Sequence, residues 1–198
     1  MNKPCILAIF GKSAAGKDTA KWYLNQYPSV KSILQWTTRP KRENEVQDKD
    51  YHFCTVEDFT KEMLSPKSMI EAAQYNNWFY GTPAKSINSN AINMGIFGKE
   101  ALKCLIEEQN NYNIYFLEIV ASDKTRLQRS LAREKNPNCH EICRRFLSDE
   151  QDWKEIDGII RPEMEVMMQM DGENIESIYP FQNVIDKIKQ TFGPFNLN

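Results

Sequence analysis

The sequence predicts an α/β fold in which a parallel sheet is flanked by helices. Apolar segments of strand length alternate with segments whose apolar residues recur at helical spacing, and this alternation is typical of a parallel sheet covered on both faces. The first apolar segment, residues 5–10, is followed directly by Gly11-Lys12-Ser13-Ala14-Ala15-Gly16-Lys17. That heptapeptide fits the phosphate-binding pattern G-x-x-x-x-G-K, which lies between a strand and a helix. The chain has 198 residues, enough for one domain with a sizeable core.

Strands and helices can be assigned in order along the chain. We expect strands at 4–10, 31–36, 91–97 and 113–121, and we favour a strand over a helix for the methionine-rich region 164–170. We expect helices at 17–27, 56–64, 123–133, 139–153 and 181–192, with N-caps at Thr55 and at Ser122 or Asp123. Residues 39–90 are polar and irregular in pattern, with short strand-like pieces at 51–53 and 78–80.

The segment 11–17, called the P-loop below, predicts binding of a nucleotide polyphosphate. Its two glycines let the backbone fold around an anion and point N–H groups at it. Lys17 adds a full positive charge, and the helix that begins there adds the positive end of its dipole. The residues assigned to this site are Gly11, Lys12, Ser13, Ala14, Ala15, Gly16, Lys17, Asp18 and Thr19.

Composition narrows the classes of partner and compartment. A net charge of −2 argues against a general role at nucleic acids or membrane surfaces. The chain has no apolar run of membrane-spanning length, and its N-terminus does not show the pattern of a secretory signal. Five scattered cysteines, an odd number, are typical of free thiols in a reducing compartment. We therefore expect a cytoplasmic protein without nucleic-acid or membrane partners.

A second set of motifs resembles the guanylate kinase family, closely over residues 5–85. The stretch Thr37-Thr38-Arg39-Pro40-Lys41-Arg42, followed by Lys49-Asp50-Tyr51-His52-Phe53, is similar to that family's nucleoside-monophosphate (NMP) binding segment. Ile70-Glu71-x-x-x-Tyr75 and Trp78-Phe79-Tyr80-Gly81-Thr82 resemble its next two signatures, in the same order. The resemblance implies a P-loop NTPase fold in a single domain of residues 1–198. It would have a core at about 1–36 and 91–198, an NMP-binding insert at about 37–90 and a lid at about 130–148.

The same resemblance implies roles for residues of the acceptor site. Arg39, Arg42, Tyr51 and Tyr80 would hold the acceptor phosphate, because arginine binds phosphate oxygens bidentately and tyrosine hydroxyls complete the shell. Glu71 would accept hydrogen bonds from N1 and N2 of guanine, and Thr82 would bond the base oxygen. Gln35 stands where the family has a serine that reads the base oxygen, so it is assigned to the same pocket.

The resemblance also implies that arginines from a mobile lid close over the triphosphate. Arg133 and Arg145 match the lid positions, and with Lys17 and Arg42 they are the expected catalytic residues. We expect the other arginines of this region, Arg126, Arg129 and Arg144, to be exposed helix residues.

Two departures from the family concern magnesium and the base. Asp18 follows the P-loop lysine where the family has serine or threonine. Asp18 and Thr19 would hold Mg²⁺ with ATP, directly or through water, since carboxylates are good magnesium ligands. The family also has an Asp-x-Asp pair that orients magnesium water and contacts guanine, and this chain has Asn93-Met94-Gly95 there.

These observations predict ATP-dependent phosphorylation of a nucleoside monophosphate, GMP or dGMP, to the diphosphate. Two alternatives remain open. Ribose 1,5-bisphosphate phosphokinases share the fold and often read Gly-Lys-Asp at the P-loop, but they generally lack the full segment from Thr37 to Phe53. Non-catalytic guanylate-kinase-like binding modules typically lose the P-loop lysine, which is present here as Lys17.

Overall fold

The computed structural model describes residues 3–75, 77–133, 135–173 and 179–193, which form nine strands and six α-helices. In chain order these are β1 (Cys5–Phe10), α1 (Lys17–Leu24), β2 (Val30–Ser32), β3 (Trp36–Thr37), β4 (His52–Phe53), α2 (Val56–Leu64), β5 (Met69–Tyr75), β6 (Trp78–Pro83), β7 (Ile92–Ile96), α3 (Lys99–Glu107), β8 (Asn113–Val120), α4 (Asp123–Ala132), α5 (Cys139–Glu155), β9 (Met167–Asp171) and α6 (Tyr179–Phe192). None of the helices in these ranges combines the length and the apolar character that crossing a membrane requires.

Five parallel strands form the central sheet in the order β2-β7-β1-β8-β9. The middle strand β1 is apolar throughout because both of its faces are covered. Cys5, Leu7 and Ile9 belong to one core cluster, whereas Ile6 and Phe10 belong to the other. This alternation follows from the period of two along a strand.

Helices cover each face of that sheet. On one face, Leu24 of α1 and Phe181 and Ile185 of α6 pack in the first cluster. On the other face, Leu102 of α3 packs with Ile156, which begins a π-helical turn after α5. The P-loop follows β1 at the carboxyl end of the sheet. The loop after β8 lies at the same end, because the two strands are parallel.

A second, four-stranded sheet has the order β4-β3-β6-β5. Strands β5 and β6 are antiparallel, and their register places Glu71 opposite Thr82. Phe59 of α2 packs on Phe79 of β6, with ring centroids 5.6 Å apart. As expected, Thr55 caps α2, because its side chain accepts a hydrogen bond from the Asp58 N–H at 3.1 Å.

Most of the predicted central elements are confirmed, with shifted ends. The helix expected at 17–27 ends at Leu24, where two i→i+3 backbone bonds close a turn. Ser122 caps the helix expected at 123–133. The segment 164–170 is a strand, as favoured, although it begins at Met167. The helices expected at 139–153 and 181–192 are also present.

One sequence expectation is wrong, and two regular elements were not predicted. The strand expected at 31–36 is two strands in different sheets, because the chain leaves the central sheet after Ser32 and joins the second sheet at Trp36. Within 39–90, the strand pieces expected at 51–53 and 78–80 are present in β4 and β6, but β5 was not predicted, and it forms a hairpin with β6 that turns at Asn77, which has φ 66°. Helix α3 was not predicted, although its buried residues Ala101, Leu102 and Leu105 follow helical spacing.

Candidate active site

The P-loop connects β1 to α1 and has the backbone that its glycines allow. Gly11 has φ 153°, and a Cβ atom there would lie 2.4 Å from the carbonyl oxygen of Ile119 in β8. Only glycine therefore permits this close approach of the loop to the neighbouring strand. Gly16, with φ 112°, is the N-cap residue of α1, so the loop ends where the helix dipole begins.

Lys17 folds back over the loop that precedes it. Its Nζ donates to the carbonyl oxygens of Gly11 at 2.8 Å and Lys12 at 2.9 Å. Burial lowers the pKa of Lys17, while the nearby carboxylates of Asp18 and Asp149 oppose that shift. The ammonium group is therefore held among the P-loop atoms, where a phosphate anion would stabilise its charge.

Two arginines of α4 bind the carbonyl side of the P-loop, so the expectation that they are ordinary exposed helix residues is wrong. Arg126 is buried, and its Nε donates to the carbonyl of Ser13 at 3.1 Å. Arg129 donates to the carbonyls of Ala14 and Ala15 at 3.3 and 3.2 Å. Its other nitrogen donates to the carbonyl of Gly172 at 2.8 Å, which ties the loop after β9 to the P-loop.

Helix α5 binds the P-loop from another side through two acidic residues. The carboxylate of Asp149 accepts the N–H of Ser13 at 2.7 Å and its hydroxyl at 3.2 Å. Glu150 pairs with the Nζ of Lys12 at 2.5 Å. The helix that carries the predicted lid residue Arg145 is thus bonded directly to the P-loop.

The residues expected to hold magnesium lie in the first turn of α1. Asp18 and Thr19 are both exposed there, so their oxygens are accessible to a metal ion. The described residues contain no group of three or more His, Cys, Asp or Glu side chains placed to bind a metal. This donor set fits Mg²⁺ that binds one carboxylate together with nucleotide phosphates, as is usual for this ion.

The residues predicted to hold the acceptor phosphate lie beside the second sheet. The Cζ of Arg39 lies 5.7 Å from the ring centroid of Tyr51, and the rings of Tyr51 and Tyr80 meet edge to face at 6.2 Å. Arg39 forms a bidentate pair with Glu45 at 2.7 and 2.9 Å. Glu45 also accepts the backbone N–H of Arg42, whose side chain is exposed. The structure thus brings Arg39, Tyr51 and Tyr80 together, with a carboxylate on the arginine.

The charge of Asp18 in α1 acts on this cluster. Burial raises the pKa of the Tyr51 hydroxyl, and the carboxylate of Asp18 adds to that increase. Asp18, the expected metal residue, thus acts electrostatically on a residue of the expected acceptor-phosphate site.

The predicted base-reading residues form a buried hydrogen-bonded chain. Gln35 donates through Nε2 to the hydroxyl oxygen of Thr82 at 3.3 Å, and Thr82 donates to Oε1 of Glu71 at 2.7 Å. The other oxygen, Oε2, is the one buried side-chain nitrogen or oxygen among the described residues without a hydrogen-bond partner. Burial raises the pKa of Glu71 to about 7, although the polar groups of Thr82 and Gln35 oppose this shift. An acceptor is therefore available in this pocket.

The segment that departs from the Asp-x-Asp pattern has its own packing. The side-chain amide of Asn93 donates to the carbonyls of Cys5 and Asn88, at 2.9 and 2.8 Å, so it joins a loop to the central sheet. A Cβ atom at Gly95 would lie 2.7 Å from Cε2 of Phe97. An aromatic ring therefore occupies the space next to the position where the family has its second carboxylate.

The two predicted lid arginines differ in their surroundings. Arg133 follows α4, is exposed, and its charge lowers the pKa of Lys17 as a smaller contribution beside burial. Arg145 pairs through Nε with Glu141 of its own helix at 2.7 Å. The structure thus places Arg133 within electrostatic range of the P-loop lysine, whereas Arg145 is held by a neighbouring carboxylate.

A groove of about 550 Å³ lies beside the P-loop, between β8 and the end of α5. Glu118 is buried at its floor and accepts hydrogen bonds from Trp153 at 3.0 Å, Gln169 at 2.6 Å and Arg161 at 2.7 Å. Although burial alone would raise the pKa of Glu118, these donors hold it below its usual range. Both oxygens of this carboxylate are hydrogen-bonded. The bonds join β8, the strand that the P-loop approaches at Gly11, to α5 and β9.

Sequence reasoning missed Arg126, Asp149 and Glu118. Glu118 had a signal, since it is a single charged residue within the apolar strand 113–120. Arg126 had a weaker one, because Asp123 lies one helical turn before it and pairs with it. Asp149 had none, since its P-loop partner Ser13 lies 136 positions away.

Comparisons with known proteins identify the family of this chain. A family model described as "Guanylate kinase" matches residues 1–163. The guanylate kinase of Agrobacterium fabrum is 27% identical over 190 residues, which cover 90% of this chain and 83% of that protein. The guanylate kinase of Thermosynechococcus vestitus is 36% identical over 83 residues, 41% of this chain and 43% of that protein.

Relatives with another name are also similar. Disks large homolog 4 of Danio rerio is 28% identical over 185 residues, 87% of this chain. The chain spans 21% of that relative's length and less than half of the length of the Thermosynechococcus protein.

The fold is shared with a solved structure. The crystal structure of guanylate kinase from Anaplasma phagocytophilum superposes with a TM-score of 0.62 at 18% identity, covering 96% of this chain and 87% of that one. The family match over residues 1–163, with this architecture and P-loop, shows that the chain belongs to the guanylate kinase family.

Proposed function

We propose that this protein transfers the γ-phosphoryl group of ATP to a nucleoside monophosphate, GMP or dGMP. The observation that supports this most strongly is Oε2 of Glu71, a buried acceptor without a partner in the described residues. Leaving such a group unsatisfied costs about 1–3 kcal/mol. A ligand that supplies donors to this oxygen would recover that free energy on binding.

Guanine carries suitable donors on one edge. Its N1–H and N2–H groups are adjacent, and an ionised carboxylate accepts only. Adenine presents an unprotonated N1 at the corresponding position, so it would leave Glu71 facing another acceptor. The Gln35 amide donates one N–H to Thr82, which in turn donates to the carboxylate. The second N–H of Gln35 is a donor that the base oxygen of guanine can accept.

The remaining residues fit the two phosphate groups. Lys17 and the P-loop amides would hold the ATP phosphates, with Mg²⁺ at Asp18 and Thr19. Arg39, Tyr51 and Tyr80 would surround the acceptor phosphate. The phosphate would displace the Glu45 carboxylate from Arg39, or both anions would bind the guanidinium together. Phosphoryl transfer needs such positioning and charge neutralisation more than covalent participation of the protein.

The test is ADP release with Mg²⁺-ATP and six acceptors: GMP, dGMP, AMP, UMP, CMP and ribose 1,5-bisphosphate. We expect turnover with GMP or dGMP and background rates with the others. Lys17→Ala should remove most of the activity, whereas Lys31→Ala is a matched control on the exposed side of β2. Turnover with AMP or a pyrimidine nucleotide as the preferred acceptor would contradict the proposed role of Glu71.

Two alternative functions have distinct outcomes in the same assay. Asp18 and Gly95 favour a ribose 1,5-bisphosphate kinase, which would turn over that acceptor alone. The similarity to Disks large homologues favours a binding module. Such a module would show no turnover, and Lys17→Ala would leave its partner binding unchanged.

A further inference from the structure

Ser13 of the P-loop is held from both sides by α4 and α5. Its carbonyl oxygen accepts from Nε of Arg126 at 3.1 Å. Its N–H and hydroxyl donate to the two oxygens of Asp149 at 2.7 and 3.2 Å. Arg126 and Asp149 also pair with each other at 2.8 Å, so the three residues form a closed set of hydrogen bonds.

Arg126 is unusually well enclosed for a charged residue. Its side chain is 2% exposed, and it pairs with Asp123 at 2.9 Å and Glu150 at 3.4 Å as well as with Asp149. Its guanidinium also lies over the ring of Phe146 of α5, 4.6 Å from the centroid. A buried charge is tolerated only with such partners and seldom increases net stability over an apolar residue. A positioning role accounts for a charge at this place better than stability does.

These bonds fix the direction of the P-loop peptide groups. In a planar trans peptide the C=O and the following N–H point in opposite directions. Because Arg126 holds the carbonyl of Ser13 toward α4, the N–H of Ala14 points away from it. Arg129 holds the carbonyls of Ala14 and Ala15 in the same way. The N–H groups that follow these carbonyls are thereby turned away from the arginines.

The set lies next to the P-loop lysine. Charges on Arg126 and Asp149 both act on the ammonium of Lys17, with Arg133 and Asp18 as its other charged neighbours. Asp149 also belongs to α5, the helix that carries Arg145. One side-chain pair therefore connects the nucleotide loop to the predicted lid helix.

We propose that Arg126 is a positioning residue of the ATP site, which orients the P-loop through Ser13 and seats α5 on it through Asp149. This inference rests on the proposed binding of ATP at the P-loop. Arg126 acts on the nucleotide through the peptide groups of the loop, since its own guanidinium is engaged by Ser13 and three carboxylates. Loss of Arg126 should weaken ATP binding and leave NMP binding nearly unchanged.

The test measures binding of a non-hydrolysable ATP analogue by calorimetry, without any acceptor. Arg126→Met, of similar length but uncharged, should weaken this affinity at least tenfold. Arg126→Lys, which cannot bond Ser13 and Asp149 with the same fork, should weaken it as well. The control is Lys99→Met in α3. It removes ion pairs with Asp152 at 2.9 Å and Glu155 at 2.8 Å, which belong to α5, and these pairs do not include a P-loop residue. The control should bind the analogue as the unmodified protein does.

A second variant separates positioning from stability. Arg126→Met combined with Asp149→Met removes both charges, so it leaves neither partner as an unpaired buried ion. We expect it to fold but to keep the loss of ATP affinity. The proposal is overturned if this double variant binds the analogue as tightly as the unmodified protein. It is also overturned if Arg126→Met weakens ATP binding no more than Lys99→Met does.

The KM values for the two substrates give an independent measurement. Arg126→Met should raise the KM for ATP and change the KM for the NMP by less than about twofold. If the unmodified protein binds the analogue but transfers no phosphoryl group, the proposed function fails while the binding measurements still decide the role of Arg126. If it binds no analogue, both proposals are overturned.

Discussion

The hydroxyl of Thr82 donates to one oxygen of Glu71 across 2.7 Å, and the other oxygen of that carboxylate is buried without a partner among the described residues. The two residues face each other in the β5–β6 register, so the sheet itself sets this geometry. This carboxylate connects the stability of the protein to its proposed substrate. Without a ligand, the unpaired oxygen lowers the free energy of unfolding, and with a ligand it accepts a hydrogen bond that favours binding.

Binding of GMP should depend on pH through Glu71. Its pKa is raised to about 7 by burial, so part of the protein carries a neutral Glu71 at that pH. Guanine N–H donors favour the ionised form, and binding below pH 7 must therefore release a proton. We expect GMP affinity to fall about tenfold per pH unit below 7, from the linkage of one proton.

Calorimetry from pH 5.5 to 8 checks this dependence. Glu71→Gln is the matched control, because it retains the titration of the GMP phosphate but has no carboxyl proton at this position. Parallel pH profiles for the two proteins would contradict the prediction.

The same shift should make the folded protein less stable as pH rises. Between the ordinary value of 4.5 and about 7, folded Glu71 keeps a proton that the unfolded chain loses. Stability attributable to this group is therefore lost across that interval, by about 3 kcal/mol at pH 8. Glu71→Gln should lack this loss, so it should gain stability relative to the unmodified protein between pH 5 and 8 while losing GMP activity. Urea unfolding at pH 5 and pH 8 measures the difference in stability between Glu71→Gln and the unmodified protein. If this difference is the same at both pH values, the raised pKa of Glu71 is refuted.

Arg39 should serve the acceptor and not ATP. Arg39→Met removes charge-assisted hydrogen bonds worth about 1.5–3 kcal/mol each, which corresponds to a rise of about 10- to 100-fold in the KM for the NMP. The KM for ATP should change less than about twofold, because the P-loop is a separate site. Steady-state kinetics with each substrate varied in turn checks the prediction. Lys41→Met, an exposed neighbour bonded only to the carbonyl of Glu45 among the described contacts, is the control. Equal rises in the KM for the NMP and the KM for ATP would contradict a role of Arg39 in acceptor binding alone.

Gly95 and Phe97 should be energetically coupled. Gly95→Asp would place a Cβ 2.7 Å from the Phe97 ring, and such overpacking costs about 1–3 kcal/mol. Phe97→Ala alone should cost about 3–5 kcal/mol by leaving a cavity. In the double variant the aspartate can enter that space, so the combined loss should be smaller than the sum. Denaturant unfolding of the four proteins gives the coupling energy, and strictly additive losses would show that the ring does not exclude a side chain at position 95.

Local patterns were sufficient to predict four of the five central strands, β1, β7, β8 and β9, and the P-loop. β1 is apolar along its whole length because both faces are buried, and the glycine pattern after it reflects backbone geometry within seven residues. The segment from Thr37 to Phe53, predicted to bind the acceptor, could be assigned by resemblance because its motif lies in one short stretch.

Long-range pairing explains what the sequence did not reveal. Strand β3 has two residues and exists because β6 and β4 bind it, so no local pattern separates it from β2. Burial of Arg126 likewise depends on Asp149, 23 positions further along and on another helix. A charged residue in a polar helix gives no local indication that its guanidinium is enclosed.

Phosphorus NMR of the unmodified protein with Mg²⁺-ATP and GMP tests the central claim most directly, because it follows the monophosphate of GMP as well as the consumption of ATP. The proposed function predicts that the GMP resonance is lost in step with the γ-phosphate resonance of ATP while diphosphate resonances grow, and that Lys17→Ala abolishes this change. If no GDP forms while the protein still binds ATP and GMP, phosphoryl transfer between these substrates is contradicted.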